Sequence, residues 1–357
     1  MHRLLLLAPL LGPVLLAGAC NNQPYKLDSG DLEDTGVPQC GRVRETEGIL
    51  LYQDDGNSVR SPLESPNDTK VTTGVAGPLG DDRTYVAVTD GRTIQSVDGG
   101  CTWDEAGSLP SGDWKLLGAG ARVYAFDTLS TSSAWSDDFG GSWTTFDPGE
   151  PFVGGTPVVD ASDPLRLRGL QARGVVTSTD GGATWTAGAA LPPGATNPAD
   201  ADVARTNLNV AVLGAASGAW HTTDAGVTWT PIGTDAVSAI AIHPDDSAAL
   251  FVTTTNAESI TTVSRSADSG GSWARLVDSS QVELPTTPSL WPVPGNPLQV
   301  LSAYGSIYNE NTEVDGVNLY IIEGGAGTRT VFVGTFFHVN QLAFGADRWV
   351  AAVDSVP

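Results

Sequence analysis

Five aspartates, Asp98, Asp138, Asp180, Asp224 and Asp268, stand in near-copies of one octet: SVDGGCTW, SDDFGGSW, STDGGATW, TTDAGVTW and SADSGGSW. A carboxylate among hydroxyls and glycines could serve as a general acid or base, hold a cation, or cap a tight turn by accepting backbone N–H groups. Spacing separates these chemistries. Steps of 40, 42, 44 and 44 residues divide the aspartates, so each belongs to its own repeat of roughly 43 residues. Five equivalent carboxylates cannot share one active centre. The turn reading remains: Asp beside Gly between two strands is hairpin chemistry, with Gly taking positive φ and the preceding Ser or Thr adding a hydroxyl contact. The Trp that closes each copy (Trp103, Trp143, Trp185, Trp229 and Trp273) is predicted to bury its ring against a neighbouring sheet.

Other chemistry-bearing residues are sparser. His221, His243 and His338 are scattered without ligand spacing, so no metal site and no cofactor is expected. The stretches HPDDS and DADVARTN hold acids but lack the spacing of a calcium loop. Tyr304, Tyr308, Asn309 and Glu310 in SAYGSIYNENTE are the candidate ligand-contacting residues, with Trp114 and Trp291 as outside candidates. Forty-one acids make some close carboxylate pair inevitable, which gives a glycosidase reading little specificity. No catalytic residue is assigned.

The elements that carry the octets read as short strands. Before and through the first octet, VTTGVAG, TYVAVTD, RTIQSVD and CTWDEA are β-branched or alternating runs parted by Gly and Asp. RVYAFD with SAWSDD, VARTNLNVAVL with GAWHTTD, and ALFVTTT with TTVSRSAD repeat the scheme, and no window has helical periodicity. Weaker echoes at YQDDGNSV and TEVDGVNL extend the array to about seven units. The fold expected is all-β: a seven-bladed β-propeller of four-stranded antiparallel blades. FHVNQLAFGADRWVAAVDSV at one end reads as two inner strands and EGILLYQDDGNSVRSPL at the other as two outer ones. Sharing one blade would remove two exposed edges.

The octets resemble Asp-boxes, or BNR repeats, of the pattern Ser/Thr-x-Asp-x-Gly-x-Thr/Ser-Trp, found in the superfamily of sialidase-like and sortilin-like propellers. That resemblance implies that the five Asp and five Trp residues are scaffold, on the face opposite the usual ligand face. Sialidase chemistry would need an arginine cluster and a Phe/Tyr-Arg-Ile-Pro motif, of which VRSP (Val59 to Pro62) is a distant echo. Mostly short connections on the ligand face favour a non-catalytic protein- or glycan-binding module, with a glycoside hydrolase as the alternative.

The N-terminus reads as an export signal over residues 1–19, with Arg3 before an apolar run too short to span a bilayer. Ala17-Gly18-Ala19-Cys20 resembles a bacterial lipobox, which implies lipidation of Cys20 and a membrane-anchored protein at the cell envelope. Residues 20–39 are a polar, acidic tether, and residues 40–357 are the folded domain. Cys40 and Cys101 then form an even pair, expected as one disulfide. A net charge of −23 sets the domain against polyanions, so nucleic acid is not expected as a partner. The expected state is a monomer.

Overall fold

The computed structural model describes residues 48–53, 59–60, 71–81, 83–280, 289–304, 317–323, 327–334, 336–345 and 348–355. Cys20, Cys40, Tyr308, Asn309, Glu310 and the echoes around Asp55 and Asp315 lie outside the described residues, so the expectations attached to them are not addressed by it.

Every regular element among the described residues is a strand. The chain opens with β1 (Ile49–Gln53) and β2 (Val59–Arg60), then forms a four-stranded antiparallel meander from β3 (Thr72–Ala76), β4 (Tyr85–Thr89), β5 (Arg92–Ser96) and β6 (Asp104–Ser108). The same unit recurs as β7 (Trp114–Ala119), β8 (Arg122–Asp127), β9 (Ser133–Ser136) and β10 (Thr144–Phe146), and as β11 (Val158–Asp160), β12 (Asp163–Gln171), β13 (Gly174–Ser178) and β14 (Thr186–Ala187). It recurs again as β15 (Pro198–Val203), β16 (Ala211–Ala215), β17 (Gly218–Thr222) and β18 (Thr230–Gly233), then as β19 (Ala236–His243), β20 (Asp246–Thr255), β21 (Thr261–Ser266) and β22 (Ala274–Asp278). A further copy is β23 (Ser289–Pro292), β24 (Gln299–Tyr304), β25 (Val317–Glu323) and β26 (Gly327–Gly334). The last sheet joins the two ends of the chain: β27 (Phe336–Phe344) and β28 (Arg348–Ser355) take β1 and β2 in the order β2-β1-β28-β27, with Leu51 opposite Val350.

Burial grades across each sheet and explains the composition of its strands. Among the second strands, β4 (YVAVT) and β16 (AVLGA) are buried at every position, and β8, β12 and β20 each carry a run of four or five buried residues, because a sheet packs against each of their faces. The fourth strands β6, β10, β14 and β18 are short and have no buried residue, and β22 is buried only at its end, at Val277 and Asp278. The cores lie between sheets. Leu51 and Val350 of the end-joining sheet pack with Val75 and Tyr85 of the next, while Val212 and Val237 belong to one cluster across the boundary between β16 and β19.

Two local readings of the sequence are corrected. VARTNLNVAVL is not one strand, because β15 stops at Val203 and a turn held by Asn207 and Ala204 intervenes before β16. Trp114 is no ligand contact: it is 1% exposed, with its indole N–H donating to the Pro110 carbonyl at 2.7 Å.

Candidate functional site

In each octet the turn closes on itself. Ser96 Oγ donates to Asp98 Oδ1 (2.9 Å) and accepts the Gly100 N–H (2.8 Å); Asp98 in turn accepts the Thr102 N–H (2.9 Å) and hydroxyl (2.7 Å). The same four contacts recur at Asp138, Asp180, Asp224 and Asp268. The first hydroxyl is the buried hub: Ser96, Ser136, Ser178, Thr222 and Ser266 are all at most 2% exposed. Those contacts favour the ionised carboxylate. The hydroxyl and N–H of Ser142, with the Ser136 hydroxyl, hold Asp138 down at about 2, and the same kinds of contact lower Asp180, Asp224 and Asp268. At Asp98 burial is the largest influence and pushes upward, but the contacts from Thr102, Ser96 and Cys101 outweigh it.

The octets also fasten sheet to sheet. The second residue after each Asp is a glycine with φ between 85° and 90°, and it lies against the preceding sheet: Gly226 against Val175, Gly270 against Ile232, Gly140 against Val86. The closing tryptophans pack into the same seams, Trp185 meeting Phe152 at 5.3 Å between ring centres. Cys101, within the first octet, is buried in the seam between the end-joining sheet and the sheet of β3 to β6.

The innermost strands β3, β7, β11, β15, β19, β23 and β27 all contribute to the wall of one cavity of about 480 Å³. Its lining comes from the C-terminal ends of these strands and the turns that follow. The third strands run in the same direction and end in the octets, so the cavity lies at the octet end of the axis. Apolar side chains dominate it: Leu117, Ile242, Leu290, Trp291 and Phe344 line it, with Pro78, Pro244 and Pro294 from the turns. Asp202 and Arg205 are the ionisable groups among its described lining residues.

Polar side chains of the inner strands clasp the backbone of their neighbours, since a first strand has no hydrogen-bonded partner on its axial edge. Gln341 on β27 accepts the N–H of Val75 (3.2 Å) and of Leu116 (2.9 Å) and donates to the Leu116 carbonyl (2.6 Å), tying β27 to β3 and β7. On β15, Asp200 and Asp202 share one face of the strand and accept the N–H groups of Ile240 and Ile242 on β19, each at 2.8 Å. The second oxygen of each accepts the next residue's N–H, from Ala201 at 2.9 Å and Val203 at 2.8 Å. Both carboxyls retain some contact with solvent, yet the surrounding protein dominates their titration. Burial pushes Asp200 up to about 7 against its hydrogen bonds, with repulsion from Asp202 adding to the rise. Burial likewise takes Asp202 up to about 6, opposed by the Ile242 and Val203 N–H groups and the charge of Arg205.

No protein-family model and no curated protein matches the chain. Solved structures share its fold at low identity. YCF48 bound to D1 peptide is 15% identical with a TM-score of 0.56, covering 88% of this chain and 95% of that one. YCF48 from Cyanidioschyzon merolae is 14% identical with a TM-score of 0.57, covering 86% and 97%. The GH74 xyloglucanase from Xanthomonas campestris is 17% identical with a TM-score of 0.52, and covers 70% of this chain but 44% of its own. These neighbours are β-propellers, and the chain has that fold.

The octet aspartates therefore stay apart, each bonded within its own turn, whereas Asp202 and Arg205 from one stretch of sequence meet Trp291 from another, about ninety residues on, around the cavity. Tyr304 ends β24 at the opposite end of the axis from the cavity. Asp200 and Asp202 had one legible signal. Two acids at i and i+2 in the strand-forming run PADADV place both on a single face, which on an inner strand is a face that ordinarily carries apolar residues.

Proposed function

We propose that this is an exported, lipid-anchored, seven-bladed Asp-box propeller that acts as a non-catalytic binding module at the cell envelope, the circle being closed by the sheet that both chain ends share. The observation that carries the reading is the axial cavity: an apolar well with an aromatic wall and one acid, Asp202, among its described lining residues. Glycoside cleavage needs two carboxyl groups flanking the scissile bond. Asp200 and Asp202 instead stand side by side on β15, with all four oxygens already accepting backbone N–H groups. Whole-length likeness to a propeller solved with a bound peptide agrees with this, while the chain spans less than half of the xyloglucanase. Tyr304, Tyr308, Asn309 and Glu310 are proposed as a second contact surface at the other end of the axis. Cys20 is proposed as the lipidated residue and Cys40–Cys101 as a disulfide.

The test is to incubate the purified protein with sialylated and neutral glycans and with an array of peptides. Binding without turnover is expected. Hydrolysis that disappears in Asp202→Asn would replace this reading with the glycosidase one. Mass spectrometry of the same preparation, before and after reduction, reads the acyl group at Cys20 and the bridge to Cys101.

A further inference from the structure

We infer that the axial cavity at the octet end receives an amphipathic monocarboxylate, with the carboxylate held by Arg205 at the mouth and the apolar part seated between Trp291, Phe344 and Leu117. This rests on the binding-module reading and adds the chemistry of the ligand and the end of the axis that it enters. The volume, about 480 Å³, falls among ordinary ligand pockets. Most of its lining side chains are apolar, so burying hydrocarbon against them is favourable in proportion to the area covered.

The polar demand is set by which groups already have partners. Asp202 has a backbone N–H on each oxygen and is engaged in holding β19 to β15. Arg205 is exposed in the turn after β15, its carbonyl accepting the Ala161 N–H, while its guanidinium makes no hydrogen bond or ion pair among the described residues. A planar fork of donors without an acceptor at the rim of an apolar well matches a carboxylate, which it can bind through two parallel hydrogen bonds. Charge elsewhere narrows the choice. A chain of net charge −23, with Asp202 close beneath Arg205, disfavours a polyanion far more than a single carboxylate. Two sources supply this chemistry: the carboxy terminus of a peptide ending in apolar residues, and a fatty acid.

The experiment is a fluorescence-anisotropy titration of the intact protein with a labelled hexapeptide ending in Phe-Leu, as the free acid and as the amide, with decanoate as an unlabelled competitor. The free acid is expected to bind at least roughly tenfold more tightly than the amide, the usual scale for losing a charged hydrogen bond. Arg205→Gln should remove that preference and Arg205→Lys should recover part of it. An exposed residue at the opposite end of the axis, Leu129 in the turn between β8 and β9, provides the control: Leu129→Gln should change nothing. Displacement of the peptide by decanoate assigns the site to free fatty acids as well, and its failure assigns it to peptide termini. Equal affinity for acid and amide, an acid preference that survives Arg205→Gln, or no binding of any of the three probes would overturn the proposal. Peptide binding that ignores Arg205 would sink this inference alone, whereas glycan hydrolysis would sink the reading beneath it.

Discussion

Substituting Gly226 by Ala should destabilise the protein by about 2–4 kcal/mol, whereas Ala225→Gly, one residue earlier in the same turn, should leave it as stable or more stable by up to about 1 kcal/mol. Both residues have positive φ, 61° at Ala225 and 85° at Gly226. An L side chain in this region costs about 1–2 kcal/mol, which Ala225 already bears and Gly226 does not. The difference lies in what surrounds them. A Cβ at Gly226 would fall 2.6 Å from Val175 Cγ2 on the preceding sheet, so the seam itself must shift. Overpacking of that kind typically adds about 1–3 kcal/mol. Removing the Ala225 methyl relieves backbone strain, partly offset by the greater freedom of glycine in the unfolded chain. Urea denaturation reads both from the transition midpoint, provided the slope is unchanged. Equal responses at the two positions would mean that the turn does not bear on its neighbour.

Stability should also rise as pH falls from 8 toward 5, then drop steeply below about 4, the reverse of the slope expected if every acid were paired in the usual way. Asp200 and Asp202 have folded values of about 7 and about 6, above an unfolded value of 3.8. Between these limits the folded state binds more protons, so it loses stability as pH rises. Three units at Asp200 alone correspond to something on the order of 4 kcal/mol, with Asp202 adding less because its value rises only to about 6. The groups that set this balance are Asp202 beside Asp200, Arg205 beside Asp202, and the N–H groups of Ile240 and Ile242 on the facing strand. The octet carboxylates work in the other direction. Their folded values are lowered, to about 2 at Asp138, so their contribution is present above 3.8 and disappears as pH falls toward 2. A maximum near pH 4–5 follows from the two opposed slopes. Thermal unfolding across pH 3–8 checks it, and the double variant Asp200→Asn/Asp202→Asn should flatten the upper slope while leaving the acid limb in place. Unchanged stability between pH 5 and 8 in the parent protein would contradict the account.

Repetition made the architecture readable. Strand, turn and Trp recur at one spacing, so the places of β3 to β6, of β8 and β9, and of the strands at both chain ends follow from pattern alone. The axial cavity left no such mark, because its wall is assembled from one or two ordinary residues per repeat. Leu117, Ile242, Leu290 and Phe344 each read as core residues within their own strands. Trp114 misled for a related reason: at the start of an inner strand its ring is hidden by packing and its N–H is taken by the Pro110 carbonyl, a partner supplied only by the fold. The roles within the octet were likewise only half visible. The aspartate draws attention, yet the hydroxyl two residues before it is the buried member, accepting the glycine N–H that would otherwise go unpaired.

Deleting that hydroxyl, one octet at a time, puts the role of the turns to the test. Ser96→Ala, Ser136→Ala, Ser178→Ala, Thr222→Val and Ser266→Ala are each expected to lower the unfolding free energy in urea by about 1–3 kcal/mol, since each strands a buried N–H. Losses from pairs of octets should add, because the turns lie far apart and share no partner. One octet that responds while the other four do not, or five that leave stability untouched and abolish ligand binding, would show that the turns do chemistry rather than hold the sheets together.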